Sequence, residues 1–391
     1  MFVKRLALTN FRNYSTLDAQ FGPGVNIFYG DNGQGKTNII ESIFYCAIGR
    51  SFRYSKDNDL IRTGADHFRI AAELGDDITE NIAVLFKETG EKAARVNGLY
   101  LHKLGHLMGS LLSVIFSPED LDIVNEGPSV RRKMLDIVIS QLHPSHYFDL
   151  QQYNKTLAQK NFLLRDYGRN GNSGASADAL LDVYNEQLAT FGASIAEKRA
   201  RFCAELEQLA AEKNGQISGG ETLTLKYVPN FRVGTPEPAA EEPENAPQAE
   251  DIDPAAVQNA IKTEFLELLT ARKSREIERQ HSLYGPQNDD VQIELNGMEL
   301  RRFGSQGQKR TAVLSIKLAQ ILLLYRKTGR KPVLLLDDVF SELDEKRSGL
   351  LLSSIEGYQT FITTASLGEL PGHVKRDAKI FFVKSGEIQL I

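Results

Sequence analysis

Lys36 and Thr37 close the octapeptide GDNGQGKT at residues 30–37, which fits the spacing G-x-x-x-x-G-K-S/T. It follows a short apolar run, VNIFY, and precedes TNIIESIFYCAIG, whose apolar spacing is helical. Glycines in such a turn let the backbone wrap phosphates, and amide hydrogens at the helix start point at them. Gly30, Asp31, Asn32, Gly33, Gln34 and Gly35 therefore form a candidate phosphate loop for ATP. Lys36 would reach the β- and γ-phosphates, and the Thr37 hydroxyl would bind Mg2+. The plainer reading is a glycine-rich turn opening an ordinary helix; the strand before and the helix after argue against it.

A second cluster ends the run VLLLDD at residues 333–338. A continuous apolar run of this kind is expected of a strand buried on both faces. An acid at its end can complete the magnesium shell, which suits Asp337, while Asp338 would orient or deprotonate the attacking water. A double Asp alone could merely cap the next turn. Paired with the phosphate loop it points to phosphoryl chemistry.

The stretch RRFGSQGQKRTAVLSIKLAQ at 301–320 places a polar, flexible, basic turn before a long apolar helix. A serine and backbone amides at a helix N-terminus make an anion site. Two phosphate sites in one domain make sense if the second serves a nucleotide held by another copy, as in the head-to-tail ATP sandwich of ABC-type ATPases. Ser305, Gln306, Gly307 and Gln308 resemble the signature motif of that class. The segment SELD at 341–344 resembles its interface-crossing loop, with Ser341 and Asp344 as the candidate residues.

Several elements must position these residues. VKRLALTNF alternates like a strand, ARVNGLYL reads as a hairpin turning on Asn97-Gly98, and VQIELNGMELRRF as one turning on Asn296-Gly297. Between them, residues 178–214 carry apolar positions 181, 184, 188, 191, 195, 202, 206 and 209, close to a heptad seam broken at Lys198. That helix would run roughly 50 Å. Residues 255–280 predict a second helix with Val257, Ile261, Phe265 and Leu268 on one stripe, the two packing as a small arm. The expected fold is α/β: an ATPase domain assembled from residues 1–112 and 287–391, with a mainly helical domain, 113–286, inserted.

Composition sets the compartment and the charge. No run of 18 apolar residues occurs, Lys4 and Arg5 interrupt any signal-like start, and Cys46 and Cys203 are the only cysteines, so a reduced cytoplasmic setting without membrane partners is expected. The net charge of −5 looks wrong for a nucleic-acid binder until it is located. Residues 235–256 hold seven of the 51 acids, five of the 13 prolines and none of the 46 basic residues. Such a segment is expected to be a disordered surface insertion, and the remaining chain is slightly basic.

The motifs LTNFRNY (8–14), GRSFR (49–53), FSPEDLDIV (116–124), RRKMLD (131–136), FGSQGQKRT and LLLDDVFSELD together resemble the RecF family of bacterial recombination mediators, ABC-type ATPases related to the SMC proteins. The resemblance implies ATP-dependent homodimerisation and binding to duplex DNA near single-strand gaps. It also implies work with recombination mediator proteins and RecA in gap repair, replication restart and the SOS response. The chain departs at GPQNDD (285–290), where the family usually reads Gly-Pro-His-Arg-Asp-Asp; Gln287 and Asn288 thus lack a basic side chain. Asp338 stands where the wider ABC class has a glutamate, and Thr364 or Ala365 where transporter ATPases carry a histidine. A shorter base without histidine predicts a weak ATPase.

For DNA the candidates are Arg131, Arg132, Lys133, Lys198, Arg199, Arg201, Arg272, Lys273 and Arg275. Singly each reads as a solvated helix face; collectively a subset would track phosphates. Arg12, Asn13 and Arg53 lie beside the nucleotide segments, and either arginine could contact phosphate or base, or pair with a nearby acid. Two other readings share the ATP motifs. A transporter ATPase subunit seldom carries a helical insertion of this size, and an SMC-like chromosome ATPase has far longer coiled coils.

Overall fold

The computed structural model describes residues 2–53, 55–75, 80–101, 103–170, 175–231 and 253–391. Its centre is a six-stranded sheet ordered Glu387–Leu390, Lys379–Lys384, Val25–Tyr29, Thr360–Thr364, Val333–Asp337, Ser113–Phe116. All neighbours run parallel except the terminal hairpin at Lys384–Glu387. Every residue of Val333–Asp337 and Thr360–Thr364 is buried, as expected for strands covered on both faces. The period of two divides them: Val333, Leu335 and Phe361 join one core, and Leu334, Leu336 and Ile362 the other.

The first core is closed by helix Lys36–Ile48 and an antiparallel six-stranded sheet ordered Tyr14–Gln20, Phe2–Phe11, His67–Gly75, Glu80–Lys87, Lys92–Val96, Leu99–Leu101. Ile39, Ile40, Ile43 and Phe44 from the helix meet Leu6, Leu8, Phe68 and Ile70 from that sheet. Gly49 stops the helix in the left-handed conformation with φ 72°, donating its N–H to the Tyr45 carbonyl. The hairpin at Asn97-Gly98 has both residues at positive φ, 52° and 80°, the geometry of a tight primed turn.

On the other face, helix Gln306–Thr328 packs on the parallel sheet beside Pro128–Leu142 and the C-terminal half of Ala175–Ser218. That last helix has 44 residues, longer than its periodicity predicts. Its far half packs with Pro144–Asn170 and Pro254–Ala271 around Tyr153, Leu188, Ala193, Ile261 and Phe265, forming the arm. One rigid element thus spans both halves of the molecule.

Four local features differ from expectation. Ser113–Phe116 pairs in parallel with Val333–Leu336, so the boundary at 112 falls inside the continuous sheet. Leu223–Val228, with alternating Leu223 and Leu225 buried, is a strand within the helical stretch, and it is the main partner of Asp290–Leu295. Beyond the Asn296-Gly297 turn only Met298–Glu299 pairs before the chain turns helical. The helix expected over 255–280 breaks at Arg272 into Pro254–Ala271 and Lys273–Arg279, and Glu276 in the second piece is drawn inward to a buried ion pair with Lys160 at 2.6 Å. The acidic insertion lies outside the described residues up to 252; Asp253 caps the following helix by accepting from the Ala255 N–H at 3.0 Å.

Candidate functional site

The phosphate loop is pinned where its glycines leave no alternative. At Gly30, φ 149°, a Cβ would lie 2.3 Å from the Val383 carbonyl oxygen. At Gly35, φ 117°, it would meet the Asn13 amide at 2.6 Å and the Tyr14 hydroxyl at 2.9 Å. Those neighbours clamp the turn. Asn13 Nδ2 donates to the Gln34 carbonyl at 2.8 Å, and Tyr14 Oη donates to the Gly35 carbonyl at 3.1 Å. Asn13 Oδ1 also accepts from Asn38 Nδ2 at 2.8 Å. Gln34 is spent on structure, its Oε1 accepting from the Ser385 N–H at 2.8 Å, while Asp31, Asn32 and Gly33 stay exposed at the rim.

Lys36 Nζ donates inside this turn to the carbonyls of Gly30, at 2.5 Å, and Asp31, at 2.8 Å. Burial lowers its pKa, opposed by the nearby charges of Asp338 and Asp337. Beside it, Thr37 Oγ1 and Thr363 Oγ1 each donate to Asp337 Oδ1 at 2.7 Å. Burial raises the Asp337 pKa, and the two hydroxyl donors hold it down. A buried carboxylate beside a hydroxyl at the mouth of a phosphate loop is the donor set a hard, oxygen-seeking cation requires, so the residues fit Mg2+.

Asp338 takes the left-handed conformation, φ 53°, which a short acidic residue tolerates. Its N–H donates to Thr363 Oγ1 at 3.0 Å, and its carbonyl accepts from Ser341 Oγ at 2.8 Å. Its own pKa is raised, first by burial and next by Glu369. Glu369 and Thr363 lie outside the sequence motifs that mark this site. Thr364 donates to Glu369. The signal for Thr363 was the TT pair ending a fully buried strand.

Ser305 and Gln308 form a reciprocal capping box: Ser305 Oγ accepts from the Gln308 N–H at 3.2 Å, and Gln308 Oε1 from the Ser305 N–H at 2.9 Å. Gln308 Nε2 also donates to Glu221 at 2.7 Å, and the Gly307 carbonyl accepts from Arg347 Nη2 at 2.9 Å. Ser305 and Gln306 are exposed, and among the described residues no hydrogen bond joins this segment to the phosphate loop. Ser341 and Asp344 are exposed as well, and Asp344 caps helix Glu345–Ser354 while pairing with Arg347. The fold therefore gathers Lys36, Thr37, Asp337 and Asp338 and leaves Ser305–Gln308 apart on the surface.

The cations divide. Arg12 takes the pairing alternative: Nε and Nη2 donate to the fully buried Glu41 at 2.9 and 2.7 Å, and Nη1 to the Asp59 carbonyl at 3.0 Å. Arg53 stands 4.0 Å from Glu41 and 3.4 Å from Asn38 Oδ1, partly open to the loop. Two DNA candidates are corrected. Arg131 is buried and holds Asp290 with Nε and Nη2 at 2.7 and 3.0 Å, and Arg199, 3% exposed, holds Asp136 at 2.9 and 2.8 Å and Asp289 at 3.1 Å. Both sit on the apolar seam of their helices, three or four residues from Met134 and Leu135, and from Ile195 and Phe202, a spacing that could have identified them as interior. Arg132 and Lys133 are half-buried and Arg201 is exposed, 3.4 Å from Glu197. Lys198 and Lys273 pair with Asp149 and with Asp178 and Asp182, while Arg272 and Arg275 are exposed. Gln287 accepts from the Tyr153 hydroxyl, and Asn288 donates to the Leu283 carbonyl at 2.9 Å, so both neutral residues serve the fold.

Among the described residues no helix is long and apolar enough to cross a membrane. A sequence model of the RecF/RecN/SMC N-terminal domain matches residues 2–389. The DNA replication and repair protein RecF of Acetivibrio thermocellus is 41% identical over 367 residues, 93% of each chain. RecF of Clostridium perfringens is 37% identical over 391 residues and the whole of both chains. Among solved structures, the recombination mediator protein RecF bound to ATP superposes with a TM-score of 0.86 at 35% identity, covering 100% of this chain and 97% of that one. An SMC head bound to the winged-helix domain of ScpA superposes at 0.54 and 14% identity, covering 100% and 97%, which speaks to the ATPase-head fold alone. With its phosphate loop, its Thr37–Asp337 pair and full-length likeness in sequence and fold, the chain belongs to the RecF family.

Proposed function

We propose that this chain is an ATP-dependent DNA-binding switch of recombinational repair. It would bind duplex DNA near single-strand gaps and help RecA and its mediator proteins load there, in gap repair, replication restart and the SOS response. The observation that supports the reading is that Lys36, Thr37, Asp337 and Asp338 lie together, while the Ser305 cap stands exposed and, among the described residues, makes no hydrogen bond to them.

Lys36 and the loop amides hold the β- and γ-phosphates of ATP, and Thr37 with Asp337 holds Mg2+. The chemistry that a metal held there would supply is neutralisation of charge on the phosphate oxygens. Asp338, beside Lys36, orients or deprotonates the attacking water. The hydroxyl of Ser305 and the first amides of Gln306–Thr328 face a nucleotide held by a second, head-to-tail copy, with Ser341 and Asp344 along the same interface. Hydrolysis is weak because the base is short and the Thr364 hydroxyl is engaged by Glu369. ATP then acts as a timer more than a motor. The partly exposed cations, Arg132, Lys133 and Arg201 among them, supply phosphate contacts.

The test is anisotropy of a labelled gapped duplex with ATP-Mg, with ADP-Mg and with the Lys36→Ala variant. ATP-Mg tightens binding by about tenfold or more, within the usual range of coupling between two sites, and Lys36→Ala abolishes that gain. Equal binding in every state contradicts the switch.

A further inference from the structure

A cleft of about 400 Å3 lies where the end of the phosphate-loop helix meets the inserted helices. It is well away from the phosphate loop. Lys36 opens the helix and Ile48 closes it, a separation of about 18 Å by helical rise. The cleft volume falls in the range of small-ligand sites, roughly 300–1,000 Å3.

Its charge is one-sided. Arg50, Arg132, Lys133 and Arg199 line it against a single carboxylate, Asp136. That carboxylate is already satisfied, since it holds both Arg199 contacts and a 2.9 Å contact to His146 Nε2. Arg132 spends one N–H on the Asp289 carbonyl at 2.6 Å, and Lys133 reaches the Phe52 carbonyl at 3.4 Å. Among the described residues, none gives the Arg50 guanidinium an ion pair, although it stands at the mouth of the cleft. Burial lowers the pKa of Arg50, Arg132 and Lys133; Arg50 adds to the effect on Lys133, and Arg199 to that on Arg132, where Asp289, Asp136 and Asp290 oppose it. Such an arrangement is stabilised by an anion that takes several N–H donors at once, which a phosphate does.

We propose that this cleft is a second phosphate-binding site, separate from the phosphate loop, in which Arg50, Arg132 and Lys133 grip a phosphate ester. Its source is either the backbone of a nucleic-acid strand, an arm that rests on the DNA-binding reading above, or a free phosphate compound. The segment Gly49–Arg53 ties this site to the ATP site. Arg50 faces the cleft, Ser51 Oγ donates to Glu41 at 2.5 Å, and Arg53 approaches Asn38 and Glu41.

Two arms test it. In the first, the salt dependence of gapped-duplex binding is compared for wild type, Arg50→Ala and Arg50→Ala/Lys133→Ala. ATP affinity serves as the check on folding and should not change. A strand phosphate in the cleft predicts affinity reduced by about tenfold or more in the double variant and a log–log salt slope shallower by about one. In the second arm, pyrophosphate is titrated calorimetrically into Lys36→Ala, which disables the phosphate loop, and into Lys36→Ala carrying Arg50→Ala. Heat lost with Arg50 while DNA binding stays unchanged supports the site with a free phosphate compound as ligand. Unchanged DNA slope together with unchanged pyrophosphate heat, in variants that keep their fold, overturns the proposal. A wild type in which ATP fails to strengthen DNA binding defeats the switch reading instead, and the pyrophosphate arm still reads the cleft.

Discussion

Thr37 and Asp337 stand 300 positions apart in sequence and 2.7 Å apart in space, hydroxyl to carboxylate. The contact exists because Val25–Tyr29 and Val333–Asp337 both pair with Thr360–Thr364, so the loop leaving one strand and the acid ending the other open at the same edge of the sheet. This is the usual place for a ligand in a parallel α/β sheet, beyond the carboxyl ends of its strands.

Asp337→Asn keeps an oxygen for the Thr37 and Thr363 hydroxyls but removes the charge. The variant should remain folded, and the Mg2+ concentration needed for ATP binding should rise by about 10- to 100-fold or more, since even indirect ligands cost that much. Titrating Mg2+ against ATP binding checks it; an unchanged midpoint would show that Asp337 does not hold the metal.

The raised pKa of Asp337 has a pH signature. A carboxyl with a raised folded-state pKa holds its proton longer in the folded chain than in the unfolded one. It therefore costs stability as pH rises through that window. Metal binding needs the ionised form and runs the other way. The rise in melting temperature produced by ATP-Mg should be larger near about pH 8 than near about pH 5, and Asp337→Asn should shrink that difference. Melting scans at both values, with and without ATP-Mg, decide it; an equal rise in wild type and variant at both would count against the assignment.

Arg199 and Arg201 sit two residues apart and should behave as different kinds of residue. Arg199→Ala strands Asp136 and Asp289 and should cost about 3–5 kcal/mol, as breaking a buried ion pair does. Arg201→Ala should change stability by no more than about 0.5 kcal/mol. Denaturant midpoints of the two variants measure this directly.

Glu41 is fully buried beneath two arginines, and Arg12 fixes its position with two N–H donors. Glu41→Ala should destabilise by about 3–5 kcal/mol and free Arg53 from the loop edge. Retention of the wild-type denaturant midpoint would show that the cluster contributes little.

Much of the chemistry was legible because it is local. A phosphate loop is written in eight consecutive positions, and an acid at the end of an all-apolar run marks a strand end. The N-cap role of Ser305 follows from S-x-x-Q before an apolar run. What sequence did not show depends on which face a charge takes. Arg131 and Arg199 look like surface cations until they are placed on their helix seams, and Arg12 needed its buried partner Glu41, 29 positions away, to choose between phosphate and pairing. Leu223–Val228 lies amid helices, and its partner strand lies more than sixty residues further on. Asn296-Gly297 announced its turn, while the length of the hairpin was set by the helix that follows.

The central claim is that Ser305–Gln308 completes a nucleotide site on another copy. Sedimentation of wild type and Ser305→Arg, with and without ATP-Mg and gapped duplex DNA, tests it most directly. Wild type should dimerise with ATP-Mg, while Ser305→Arg binds ATP through Lys36 and Thr37 yet stays monomeric. If the two sediment alike in every condition, the exposed cap serves DNA or the fold, and the ATP sandwich is wrong.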